Sequence, residues 1–284
     1  MNPITSEEIS EAVVRLPSLP TIVLELINAL DNGDVDTNTL AQKISHDQAL
    51  TAKVLGLANS SFYGMQNKVG SIPHAVTVLG FNSVRSLVTA AAVVGTFSGS
   101  KSKVLDYAEF WKHAIATALS AKAIARKLGA NEDQAFIGGL LHNIGRLVLA
   151  TYSPSRYQEV LNWRSQHDGD LMAAEIHVLG IDHKTVGRAM LTHWKFPASI
   201  VETLNTPDVA HPHEQSRAAA VVTVADAIAY GLDVSGGEHD RIPVISQIEW
   251  DMLHLNDAML TEIFSTTERQ FEEACMILGT NAGE

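Results

Sequence analysis

Residues 135–150 read AFIGGLLHNIGRLVLA, an apolar run of helical character into which a His142-Asn143 pair and Arg146 are set. A polar side chain buried on a helix needs a partner, because an unpaired one costs roughly 1 to 3 kcal/mol in proteins. Something must therefore meet His142. Gly138 and Gly139 lie one turn before the pair, where each would weaken a helix by about 1 kcal/mol relative to alanine. Their use is to let another backbone or a bound group come close.

Outward from this run the pattern stays helical. Asn131 with Gln134 caps the helix that carries His142, and the run Tyr107 to Leu128 before it is one helix ended by Gly129. Further upstream, Thr5 and Glu8 have the capping-box spacing for a helix over 6–16. Ile22, Val23, Leu26, Ile27 and Leu30 recur at helical spacing until Asp31-Asn32-Gly33. Short helices are expected at 40–44 and 49–58, then one starting at Pro73, a break at Gly80 and a longer helix from Asn82. Downstream, helices are expected at about 153–167, 170–178, 183–193 and 198–204. The very apolar segment Gln215 to Leu232 makes another, interrupted by Asp226, and the last 30 or so residues read as an amphipathic helix pair. No stretch alternates with period two long enough for a strand, so the fold class is all-α.

The chain has 284 residues, 46% hydrophobic and 18% charged, which allows a large buried core. With 32 acidic against 20 basic residues the net charge is −12, and a surface of that sign repels a phosphate backbone. Nucleic acid is excluded as an expected partner. The single cysteine, Cys275, rules out an internal disulfide framework and fits a reducing compartment. The N-terminus MNPITSEEIS is polar and acidic, unlike a signal peptide, and the strongest apolar stretch, Leu87 to Val94, is far below the ~20 residues of a membrane span. The expected location is the cytoplasm, with no membrane partner.

Three titratable groups sit inside apolar helices: His113 in FWKHAIATALSAKAIA, His142 in GLLHNIGRL and Asp226 in AAAVVTVADAIAYG. A lone histidine on an apolar helix is usually a satisfied core residue. A buried carboxylate is harder to dismiss, since it must be paired, hydrogen-bonded or bound to a cation. Two histidines and an aspartate are the ligand types of a divalent site for zinc, iron, manganese or nickel. The competing reading is a hydrogen-bonded cluster in which Asp226 accepts from a histidine N–H and fixes its tautomer. Arg146, one turn past His142, can meet a phosphate or a neighbouring acid.

The order of these residues resembles the H…HD…D pattern of the HD superfamily of metal-dependent phosphohydrolases. The segments ISHDQALTAKVLGLANSSFYG, SIPHAVTVLG and LGIDHKTVGRAMLTHWKFP narrow the likeness to the HDOD family, the HD-related output domain of bacterial signalling proteins. The resemblance covers roughly residues 10–230. It implies an HD-like helical core over 101–232, preceded by an N-terminal helical subdomain over 1–100 and followed by a surface loop and C-terminal helices over 233–284. FSGSKSK at 97–103 is the candidate boundary. The likeness also adds His183, in DHKTVG, which matches the extra histidine of the HD-GYP relatives, a class of cyclic-dinucleotide phosphodiesterases.

Two departures decide the functional expectation. Where the superfamily has His-Asp this chain has His142-Asn143, and a neutral amide cannot supply the anionic ligand that bridges two metals. Where the HD-GYP relatives place a further histidine pair the chain has Asn205-Thr206. A binuclear hydrolase is therefore not expected. The reading is a regulatory HDOD protein that acts by binding a signalling partner, with a degenerate metal site and no required cofactor. The alternative is a metal-dependent phosphohydrolase acting on a nucleotide or phosphoester through one divalent ion held by His113, His142, His183 and Asp226. A small nucleotide ligand in a vestigial pocket is a third expectation.

Overall fold

A computed structural model describes residues 3–28, 37–61, 63–64, 68–97, 104–167, 169–206, 214–233 and 242–280. Among these every regular element is a helix. In chain order they are α1 (Ser6–Arg15), α2 (Thr21–Asn28), α3 (Thr37–Ser45), α4 (Gln48–Asn59), α5 (Ile72–Leu79), α6 (Phe81–Phe97), α7 (Tyr107–Leu128), α8 (Glu132–Leu141), α9 (Ile144–Tyr152), α10 (Pro154–His167), α11 (Leu171–Leu179), α12 (His183–His193) and α13 (Ala198–Val201). A 3-10 turn, Glu202–Leu204, follows, and then α14 (Glu214–Gly231), α15 (Gln247–Leu253) and α16 (Asp257–Leu278). The expected stop at Asp31-Asn32-Gly33, most of the boundary at 97–103, the loop with His211 and His213, and the Gly-Gly loop after Asp233 lie outside the described residues.

The ends of the helices follow the capping chemistry of the sequence. Thr5 Oγ1 accepts from the Glu8 N–H at 3.2 Å while Glu8 Oε2 accepts from the Thr5 N–H at 2.8 Å, closing the capping box of α1. Asp106 caps α7 by accepting from the Ala108 and Glu109 N–H groups, and Gly129 ends it at φ 63°, a left-handed conformation that costs glycine nothing. Asn131 then caps α8 through the Gln134 N–H at 3.0 Å.

The helix α7 is the axis of the molecule. Its residues from Phe110 to Ala125 are buried apart from Lys112. Ile115 and Leu119 belong to a large apolar cluster that runs from Ile4 to Leu278, whereas Ala121 and Ile124 belong to a smaller one shared with α14, α15 and α16. Each fully buried leucine or isoleucine of these clusters contributes about 1.5 to 3 kcal/mol. Nothing in the sequence marks a break at residue 142, yet the single helix expected through His142 is two. The chain turns at His142-Asn143, and Asn143, at φ −104° and ψ 12°, opens α9 without a side-chain cap. Every residue from Ala135 to Ala150 is buried, so hydrophobic spacing alone carries no trace of the elbow.

Candidate functional site

The glycine pair explains how His142 reaches its partners. A Cβ on Gly139 would lie 2.8 Å from the Ala118 Cα and 2.9 Å from the Thr117 carbonyl oxygen, so only glycine lets α8 rest on the backbone of α7. Gly138 does the same toward Thr203, whose Oγ1 would be 2.7 Å from such a Cβ. The close approach brings the elbow after α8 beside His113 on α7, and α14 closes the group with Asp226.

His113, His142 and Asp226 converge, each offering a ligand atom, with all three atoms within 4.8 Å of one another. The Nε2 atoms of His113 and His142 stand 2.7 and 3.0 Å from the same oxygen, Asp226 Oδ1. The imidazole centroids are 5.5 Å apart, and the Tyr230 ring lies against His113 at 4.1 Å, tilted by 34°. His142 Nδ1 donates to the Gly139 carbonyl at 2.6 Å, whereas His113 Nδ1 is buried with no partner among the described residues.

Proton accounting shows what this arrangement suits. Burial, the largest influence, lowers the His142 pKa despite the pull of Asp226. For Asp226 burial pushes upward, but His142 and His113 in their protonated forms outweigh it and hold the carboxyl well below its ordinary range. A neutral imidazole has one N–H, and His142 spends it on Gly139, so its Nε2 lone pair points at an anionic oxygen. A cation between them removes that repulsion. The separations from Asp226, 2.7 and 3.0 Å, are those of hydrogen bonds and lie at or just under the roughly 3.0 to 3.4 Å between ligands about 2.1 Å from one ion, and the Gly139 carbonyl is the outer partner that a metal-binding histidine uses. The residues fit one divalent ion. They do not fit two, since Asn143 beside His142 brings no charge.

His183, the fourth residue expected at the site, is not part of this cluster. It lines the same cleft, of about 550 Å³, together with His142, Asn143, Arg146 and Asp226. Its Nδ1 is held by the Glu175 carboxylate at 2.6 Å. Arg146 is buried and donates from Nε to the Tyr157 hydroxyl at 3.2 Å. Arg164 and Lys184 also reach the cleft, where Asp170, Asp226 and Glu249 balance the three cations. Sequence reasoning missed Glu175 and Tyr230. Glu175 carries the same signal as Asp226, an acid inside the apolar run MAAEIHVLG. Cys275 is buried in α16 with its thiol pushed up to about 11 by burial, which fits inert packing.

With the geometry in place, comparison with known proteins decides the family. The model of the HDOD domain matches residues 16–208, more than half of the chain. The chain belongs to the HDOD family. Asp226 lies past the end of that match, so α14 completes the cluster from outside it. A Treponema pallidum (strain Nichols) protein of uncharacterized function is 26% identical over 201 residues, covering 69% of this chain and 38% of its own. This HDOD chain thus spans well under half the length of that relative. An HDOD domain protein of unknown function from Geobacter sulfurreducens superposes with a TM-score of 0.79 at 25% identity, covering 95% of this chain and 97% of that one. A candidate phosphohydrolase from Shewanella amazonensis SB2B does so with a TM-score of 0.72 at 28% identity over 95% and 98%. No helix among the described residues is long and apolar enough to cross a membrane.

Proposed function

We propose that this HDOD chain is a regulatory module that acts by binding a signalling partner protein, its HD-type centre reduced to a site for at most one divalent ion. The observation that carries the reading is Asn143. It stands beside His142 at the elbow, where an acid would add the anionic ligand that a second metal needs. His113, His142 and Asp226 would hold the single ion. Such an ion, when bound, supplies Lewis acidity to an oxygen ligand entering the cleft. The chain's own groups do the remaining work: the Gly139 carbonyl fixes the His142 tautomer, Tyr230 covers His113, and Arg146 and Lys184 can meet the phosphate of a small nucleotide.

A second reading, a mononuclear phosphohydrolase, is favoured by the His142 lone pair turned on Asp226 and by the structural likeness to the Shewanella protein. Metal analysis of the purified chain, with a phosphodiester and phosphomonoester screen in manganese and in nickel, separates the two. The regulatory reading expects no robust turnover. Turnover that His142→Ala abolishes would establish the hydrolase and reject the regulatory reading.

A further inference from the structure

Glu175 sits on α11 with no solvent exposure. A carboxylate so placed must be offset by hydrogen bonds or a counter-charge. Both of its hydrogen bonds come from one residue, the His183 backbone N–H at 2.8 Å and ring Nδ1 at 2.6 Å, and both fall on Oε2. The other oxygen, Oε1, is buried with no partner among the described residues.

The pairing dictates a tautomer. A ring nitrogen facing a carboxylate oxygen at 2.6 Å carries the proton, so in neutral His183 the lone pair is on Nε2. His183 makes no other hydrogen bond among the described residues, and Nε2 is not among the buried atoms left without a partner. Since the ring lines the cleft, Nε2 opens onto it. Gly145 packs directly against the main chain of His183, since a Cβ on it would lie only 1.9 Å from the His183 carbonyl oxygen. The residue is therefore held at both its ring and its main chain.

We infer that Glu175 is a positioning residue for the cleft: it fixes His183 as the Nδ1–H tautomer and turns the Nε2 lone pair toward an incoming ligand. The ligand group this suits is a hydrogen-bond donor, an O–H or N–H on a small molecule, and not the ion of the triad, to which His183 does not belong. This goes beyond the regulatory reading, because it holds whether or not the chain turns over a substrate.

The test uses the full chain, nitrogen-15 labelled, at about pH 8, above the ordinary histidine range. Long-range proton–nitrogen NMR reads the tautomer of His183, assigned by its absence in His183→Gln. Carbethoxylation by diethyl pyrocarbonate, mapped by mass spectrometry, reads the reactivity of Nε2. The wild type is expected to show the Nδ1–H form and to be labelled at His183. Glu175→Gln keeps an acceptor oxygen and should retain the tautomer. Glu175→Ala should release His183 to the Nε2–H form and slow its labelling several-fold. An Nε2–H form in the wild type, or an unchanged tautomer and labelling rate in Glu175→Ala, would make Glu175 a mere packing anchor and overturn the inference. If Glu175→Ala does not fold, the wild-type tautomer decides alone. Phosphoester turnover would refute the regulatory reading and leave this result untouched.

Discussion

The two ends of α7 bury polar groups in different ways. Near its start, His113 joins His142 and Asp226, where two imidazoles converge on one carboxylate oxygen. Nine residues on, about 14 Å along the axis, Lys122 is just as buried but stands over the Tyr63 ring at 4.2 Å, near the acidic start of α8 at Glu132 and Asp133. There the charges spread out: Asp133 accepts from the Ser83 hydroxyl at 3.3 Å, and Glu132 takes a two-pronged contact from Arg126 at 3.1 and 2.8 Å. Burial of a charge does not by itself make a site. What sets the first end apart is convergence of ligand atoms on a common point, with a lone pair left facing an anion.

The largest expected effect is at that point. Asp226→Ala leaves the buried His113 Nε2–H without its acceptor and should destabilise the chain by about 1 to 3 kcal/mol, read by urea unfolding. Asp226→Asn keeps one acceptor oxygen and should cost clearly less. Equal losses for the two would show that the carboxylate acts by charge alone, and the convergence would lose its meaning. Next comes Gly139→Ala, whose methyl meets the α7 backbone at Ala118, midway between the two ends. Overpacking of this kind costs about 1 to 3 kcal/mol. The tightly spaced triad should feel it more than the looser Lys122 group, as loss of divalent-ion binding in the folded variant.

Asn143→Asp sharpens the comparison further. The added carboxylate should tighten binding of manganese or zinc by about tenfold, the scale on which carboxylates near a metal site tune affinity. Calorimetric titration of both proteins measures it. An unchanged affinity would mean that the missing charge is not what limits the site, and the proposed function would lose its support.

The fold was legible in the sequence because helix spacing and caps are local. Thr5 with Glu8, Asn131 and Gly129 act within a turn of their own position, and the helices end where these residues place them. His113, His142 and Asp226 were legible because a titratable group in an apolar helix must be answered by something. The elbow at His142-Asn143 was not, since no proline marks it and every residue from Ala135 to Ala150 is buried. Nor was the fate of His183. Its partner Glu175 lies only eight residues before it, but whether His183 joins the triad depends on how α11 and α12 pack, which spacing along the chain does not record.

The smallest effect belongs to the far end of α7, and it tests whether Lys122 is desolvated as the comparison requires. Lys122→Met fills a similar volume and loses a cation–π contact worth about 1 kcal/mol. Its signature is in the pH dependence. Burial holds the Lys122 amine down to about 8, against 10.5 for an ordinary lysine. Between those values the unfolded chain binds a proton that the folded chain does not, so wild-type stability should rise with pH across that window. Tyr63 works the other way: burial raises its hydroxyl, so the folded chain keeps a proton that the unfolded chain sheds above about pH 10. The buried Cys275 thiol, raised to about 11, adds a loss that begins near pH 9. Wild type should therefore gain stability between about pH 8 and 9, whereas Lys122→Met should show no gain there and only the losses at higher pH. A wild-type profile that stays flat from about pH 8 to 9 would mean that Lys122 keeps its proton as a solvated lysine does. The contrast would then be between a buried site and a surface charge, and not between two ways of burying one.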